Sequence, residues 1–252
     1  MAFLFSGNFA ILTMYLIFRK YKHSYYCLIM RKLQLILMLV ILFFELSSAQ
    51  EKNQISKFQG DIETIQKMDK IYKPLDNPIV FVGSTSISKW SGLNVAFGKY
   101  NVLNRGIAGT SINDINYYLN DLVIKYKPRQ VVIFVGVNDF VDESATPDTV
   151  LNRTVNMINN IRAKLPNVPI AYISIQGAPS RASHIDRIKE ANKLIKKYLS
   201  TEKNTSFIDV FNPLLNKNGQ LREELFIEDR LHLTAEGYKI WIKQIEPYLL
   251  KQ

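Results

Sequence analysis

Short apolar runs alternate along the chain with longer stretches of helical spacing. PIVFVG (Pro78–Gly83), YNVLNRG (Tyr100–Gly106), QVVIFVG (Gln130–Gly136), PIAYISI (Pro169–Ile175) and SFIDV (Ser206–Val210) predict five strands. The first and third are nearly unbroken β-branched runs, the composition of strands buried on both faces. FQGDIETIQKMDKIYK (Phe58–Lys73) predicts a helix with Ile62, Ile65, Met68 and Ile71 on one side. Ser111–Lys127 predicts a second, with Ser111 as N-cap and Pro128 just past its end. Pro147 opens a third that runs to about Leu165, and further helices are expected from about Ser183 to Leu199 and from Thr234 to Leu250. Strands separated by helices make right-handed βαβ units. The expected fold is therefore α/β, a three-layer α/β/α sandwich around a five-stranded parallel sheet. No internal repeat or second domain is visible, and 50–252 reads as one domain. In such sheets ligands bind outside the carboxyl ends of the strands, so the polar residues at those ends are the candidates for chemistry.

The first 49 residues follow another pattern. Arg31-Lys32, an apolar run from about Leu33 to Phe44 and small residues ending at Ala49 are the three parts of a secretory signal, with cleavage expected near Ala49–Gln50. Twelve helical residues span about 18 Å against a hydrocarbon core of about 30 Å, which favours a cleaved signal over a retained membrane anchor. No Cys follows the apolar run, so no lipid attachment site is expected there. Residues 1–29 add a second apolar run, best read as a mis-called extension ahead of a start at Met30; two tandem membrane segments are the alternative. An exported protein, periplasmic or secreted, is expected, with membrane contact only through this signal or anchor.

Composition narrows the chemistry. The 252 residues are 47% apolar and 21% charged, an ordinary globular mixture, and their formal net charge is +10. Residues 1–49 hold five basic residues against one acid, Glu45, so the remaining 203 carry +6. No basic run with interleaved aromatics accompanies that charge, and no nucleic-acid partner is expected. Cys27 is the sole cysteine and the histidines are His23, His184 and His232. That excludes a disulfide framework and Cys-based zinc sites and leaves little for a metal centre; neither metal nor cofactor is expected. Neither a phosphate loop nor a dinucleotide glycine fingerprint is present. His184 reads as an exposed helix residue. Oligomeric state is not legible.

Four segments carry the candidate chemistry: Gly83-Ser84-Thr85-Ser86, Asn104-Arg105-Gly106-Ile107-Ala108-Gly109, Gly136-Val137-Asn138-Asp139, and Asp229-Arg230-Leu231-His232. Together they resemble the blocks of the SGNH/GDSL-type esterases: a GDS-like turn, N-x-G-x-x-G, G-x-N-D and D-x-x-H. FVGSTSISKW, KPRQVVIFVGVND and EDRLHLTAEGY look like the secreted branch with GSSS in the first block, and the likeness runs from about Pro78 to Tyr248. It implies a flavodoxin-like fold, no cofactor, and a hydroxyl nucleophile with His232 as base and Asp229 orienting it. It also implies an oxyanion hole made by the Thr85 and Gly109 N–H groups and the Asn138 amide. The residues fit these roles physically: a hydroxyl needs a base and the base an orienting carboxylate, which a spacing of three on a turn supplies. An oxyanion needs donors already in place. Asp139 is expected to fix its loop, and Trp90 and Tyr238 to pack helices.

One position departs from the family. Counting from Gly83 to Trp90 without a gap puts the family's aspartate on Ser84 and its nucleophilic serine on Thr85. Threonine has the hydroxyl, but its methyl stiffens χ1. Three readings stay open: Thr85 attacks, a neighbour (Ser84 or Ser86) has taken over, or the protein is a weak or inactive relative that binds carbohydrate. The expected reaction is hydrolysis of short carboxylic esters, O-acetyl carbohydrates first, so the partner is a small-molecule or polysaccharide ester. Arg181, after the fourth strand, is a candidate contact for an acidic sugar. A metal-dependent nuclease or phosphatase is the remaining rival, and too few carboxylates and histidines stand near the strand ends for it.

Overall fold

The computed structural model describes residues 32, 34–43 and 57–251, which fall into two compact units divided after Lys57. The extension at 1–29 lies outside the described residues, as do residues 30, 31, 33 and 44–49 of the expected signal, with its cleavage point. Within that signal, residues 34–43 are helical and exposed. Among the described residues no helix is long and apolar enough to cross a membrane.

A helix at 57–71 (α1), in the larger unit from Phe58 on, precedes strand β1 (Ile79–Gly83). Two four-residue helices follow, α2 (Thr85–Ser88) and α3 (Leu93–Ala96), then β2 (Val102–Gly106). Next come α4 (Ile112–Tyr117), α5 (Leu119–Leu122), β3 (Gln130–Phe134) and α6 (Pro147–Lys164). The chain ends with β4 (Ile170–Ile173), α7 (Ile185–Leu199), β5 (Thr205–Ile208) and α8 (Ala235–Ile245). The five strands form one parallel sheet in the order β2-β1-β3-β4-β5.

The pleat sorts the core into two layers. Val80 and Val82 of β1 join α4, α6 and α7 residues such as Ile112, Ile158 and Ile188 on one face. Ile79 and Phe81 join Ile87, Leu93 and Trp241 of α2, α3 and α8 on the other. The expected three-layer sandwich is what forms. Strand order reverses between β1 and β3, the point where open sheets of this order leave a crevice for a ligand.

Three expectations need correction. In α1 the inward stripe is Phe58, Ile62 and Ile65, continued by Asp69, which pairs with Arg105 and with Tyr126 Oη at 2.5 Å. At 3.6 residues per turn that stripe turns Met68 and Ile71 outward, 48% and 67% exposed. The helix expected over Ser111–Lys127 is broken into α4, α5 and a 3₁₀ turn at Ile124–Tyr126. Val123 leaves the helical region at φ −132°, and Lys127 ends the segment left-handed. His184 is buried rather than exposed, because its Nδ1 accepts a 2.7 Å hydrogen bond from Arg187, whose guanidinium also reaches Glu143.

Candidate active site

The first segment is shaped by Gly83. Its φ of +152° is open to glycine, and a Cβ there would lie 1.8 Å from the Phe134 carbonyl oxygen of β3. Ser84 N–H donates to that same oxygen at 2.9 Å, and the chain turns at once into α2, with Ser84 at the N-cap. Three neighbouring hydroxyls thereby reach different environments. Ser84 is buried, and its Oγ accepts from Asn138 Nδ2 at 2.8 Å. Ser86 is also buried, and its carbonyl accepts the Tyr238 hydroxyl at 2.8 Å. Thr85 alone is partly exposed, and its Oγ1 accepts from Gly109 N–H at 3.0 Å.

The second segment presents Gly109 through a folded loop. Asn104 Nδ2 donates to Ile87 O at 2.7 Å and Asn104 Oδ1 accepts Gly106 N–H at 2.9 Å, which fastens the loop to α2. Gly109 adopts φ +79°, where a side chain would be strained, and this aims its N–H at Thr85. Arg105 points elsewhere, to Asp69 and Tyr126.

In the third segment Asn138 Nδ2 donates both to Ser84 Oγ and to Thr110 O, the latter at 3.0 Å. Asp139 is buried. One of its oxygens accepts Ile112 N–H at the start of α4 (3.0 Å) and the other pairs with Arg153 (2.8 Å). Burial raises the pKa of its carboxyl, with Arg153 pulling the other way. Asp139 thus joins the second and third segments and does not face the cleft.

The fourth segment is a self-closed turn. Asp229 Oδ1 accepts the N–H groups of Leu231 and His232, both at 2.9 Å, and Asp229 Oδ2 lies 2.5 Å from His232 Nδ1. Arg230 between them is left-handed, at φ +56°. The hydrogen bond from the His232 ring, ahead of those from backbone N–H groups, holds the Asp229 carboxyl down at about 2. With Nδ1 engaged, Nε2 is the ring nitrogen left for the cleft.

Ser84, Thr85, Ser86, Asn138 and His232 line one cleft at the carboxyl edge of the sheet, beside the β1/β3 reversal. No hydrogen bond joins the His232 ring to Thr85 among the described residues. Arg181, in a turn after β4, is not among the residues lining the cleft. Gln176 does line it, immediately after the expected fourth strand's apolar run (Pro169–Ile175), and the residue pattern did not mark it. Its only signal was position, since it follows β4 at the sheet's carboxyl edge. Among the described residues no group of three or more His, Cys, Asp or Glu side chains is placed to hold a metal ion.

The model of the GDSL-like Lipase/Acylhydrolase family matches residues 82–240. A protein from Streptococcus pneumoniae, provisionally named a platelet activating factor, has a similar structure: TM-score 0.68, 23% identity, covering 81% of this chain and 99% of that one. A GDSL-like lipase from Bacteroides thetaiotaomicron superposes at 0.63, with 20% identity over 75% of this chain and 96% of that one. An acetyl-xylooligosaccharide esterase from Geobacillus does so at 0.56, with 15% identity over 71% and 97%. No curated protein sequence matches significantly. These neighbours share the fold, and the family match spans all four segments from the first strand's end to the last helix. This chain therefore belongs to the GDSL-like lipase/acylhydrolase family of ester hydrolases.

Proposed function

We propose that this protein hydrolyses short carboxylic esters, O-acetyl groups on carbohydrate first among them, through an acyl-enzyme on Thr85. The observation that carries the reading is the Asp229–His232 pair, 2.5 Å apart, set over the cleft in which Thr85 is the one partly exposed hydroxyl. Ser84 and Ser86, both buried, are the weaker candidates for the nucleophile.

His232 Nε2 takes the Thr85 proton while Oγ1 attacks the ester carbonyl, and Asp229 stabilises the imidazolium through Nδ1–H. The tetrahedral oxyanion is held by the N–H groups of Thr85 and Gly109 and by the Asn138 amide, which must first release Ser84 Oγ. His232 then returns the proton to the leaving alcohol oxygen. Water repeats the sequence on the acyl-enzyme, releasing the acid and restoring Thr85. The resting Gly109–Thr85 hydrogen bond has a consequence for this cycle. Rotation of the Thr85 hydroxyl toward the substrate also frees the Gly109 N–H for the oxyanion.

Carbohydrate as the alcohol part is supported by a groove of about 680 Å³ that reaches the catalytic turn at Arg230, where Asn216, Gln220, Glu223 and Glu224 stand among apolar Ile185, Leu215 and Leu221. The neighbour from Geobacillus, which acts on acetyl-xylooligosaccharides, supports the same choice. Export after signal cleavage near Ala49 would bring the enzyme to such polymers.

A second reading has its own observation. Both hydrogens of the Asn138 amide are engaged within the protein, and Thr85 is bonded to Gly109 rather than to His232. A site whose donors are so engaged favours binding of glycan without turnover. Acetate release from acetylated polysaccharide, measured for the wild type and for Thr85→Ala, Ser84→Ala, Ser86→Ala and His232→Ala, separates the two. The enzyme reading expects Thr85→Ala and His232→Ala each to lose at least about 100-fold in rate. No acetate release by the wild type, with glycan binding retained, establishes the binding protein instead.

A further inference from the structure

The Gln176 side chain is 2% exposed, and its two polar atoms are treated differently. Nε2 donates to the Leu231 carbonyl at 3.3 Å, tying the segment that follows β4 to the turn that carries His232. Oε1 is buried with no hydrogen-bond partner. A buried acceptor left unpaired costs about 1–3 kcal/mol, and nearly all buried acceptors in folded proteins are paired. This one belongs to a side chain that lines the catalytic cleft. At the wall of a substrate cleft, a donor that arrives with the substrate would remove that cost.

The side of the cleft fixes which part of the substrate supplies that donor. The acyl carbon sits on Thr85, and its carbonyl oxygen faces Gly109 and Asn138. The leaving oxygen is the atom His232 protonates, so the alcohol part lies on the side that His232 flanks. Gln176 is bonded to the residue before His232. An acetyl group carries no hydrogen-bond donor, whereas an alcohol part with a second hydroxyl does.

We infer that Gln176 Oε1 accepts a hydrogen bond from a free hydroxyl next to the ester on the alcohol part, making this a site selective for esters of polyols and sugars over esters of simple alcohols. The inference rests on the ester-hydrolase reading and deepens it by assigning the residue that selects the alcohol part. It gives Gln176 two separable tasks: Nε2 steadies the His232 turn, and Oε1 selects substrate.

Glycerol 1-monoacetate and propyl acetate form the test pair, equal in acyl group and close in size but differing in the hydroxyls of the alcohol part. The readout is the ratio of their kcat/KM values for the full-length wild type, Gln176→Met and Gln176→Leu, with thermal melting of each variant to confirm folding. One gained hydrogen bond predicts a wild-type ratio of about 10 in favour of the glycerol ester, collapsing toward 1 in both variants. A wild-type ratio near 1 overturns the inference. So does a ratio preserved in the variants while both rates fall together, because Gln176 then acts only by holding the His232 turn. Hydrolysis of neither ester by the wild type overturns the ester-hydrolase reading itself, and this inference with it.

Discussion

At position 85 a methyl group separates two rates. Thr85 Oγ1 rests on the Gly109 N–H and must leave it to attack, and a β-branched side chain changes χ1 less freely than serine does. Thr85→Ser is therefore expected to raise kcat several-fold, and Thr85→Ala to lower it by roughly 10³-fold or more. Steady-state acetate release measures both, and a Thr85→Ser enzyme slower than wild type would contradict the rotation argument. Asp229 makes a second residue-scale prediction. Its carboxyl is held at about 2, below the ordinary range near 4, so folding favours the ionised form. The stabilisation from this pairing is complete above the unfolded value and is lost as pH falls through about 2. Across any working pH Asp229 is a carboxylate, and Asp229→Asn is expected to cost about 10³–10⁴ in kcat by misassigning the His232 tautomer. A loss under tenfold, measured between pH 6 and 9, would remove Asp229 from the proposed mechanism. Proximity of the Asp229 and His232 side chains was legible in the D-x-x-H spacing. The Gln176 contribution was not, because nothing in a lone Gln says that one of its amide atoms will be buried without a partner.

The elements hold these residues through a few polar ties. Asp139 caps the start of α4 and pairs with Arg153 of α6, so loops from β2 and β3 are fixed to two helices by one buried carboxylate. Removing its partner leaves that charge uncompensated: Arg153→Met is expected to cost roughly 3 kcal/mol, seen in urea unfolding. A change below about 1 kcal/mol would mean that Asp139 is neutral in the folded protein. Tyr238 of α8 donates to the Ser86 carbonyl, and burial lifts its hydroxyl to about 12, so it stays a donor at any working pH. Tyr238→Phe is expected to cost about 1 kcal/mol in the same measurement. The packing expectation for Tyr238 and Trp90 agrees with the structure, where their rings lie 4.7 Å apart against α8. The hydrogen bond from Tyr238 to the turn carrying Thr85 could not be read from spacing 152 residues apart. Helix starts marked by a proline at the first helical position were legible, as with α6 from Pro147. The break in the segment after Ser111 was not, since neither proline nor glycine marks it.

Across the whole molecule the sheet order brings distant segments to one edge. Thr85 follows β1 and Asn138 follows β3, adjacent strands at the point where the order reverses. Among the described residues, both apolar layers are built from residues 58–249. A chain of residues 50–252 is therefore expected to melt cooperatively at the same temperature as the full protein, within a few degrees, by circular dichroism; loss of a cooperative transition would show that the fold depends on what precedes it. The sequence by itself determined the strand–helix alternation, the parallel class and the four segments, because helix and strand periods and turn chemistry are local properties. The tertiary structure decided which of three adjacent hydroxyls is reachable, where Asn138 and Gly109 direct their donors, that His184 is buried, and that Gln176 lines the cleft while its amide oxygen is buried and unpaired. Those depend on which elements pack against which, and burial and hydrogen-bond partners are properties of that packing rather than of spacing along the chain.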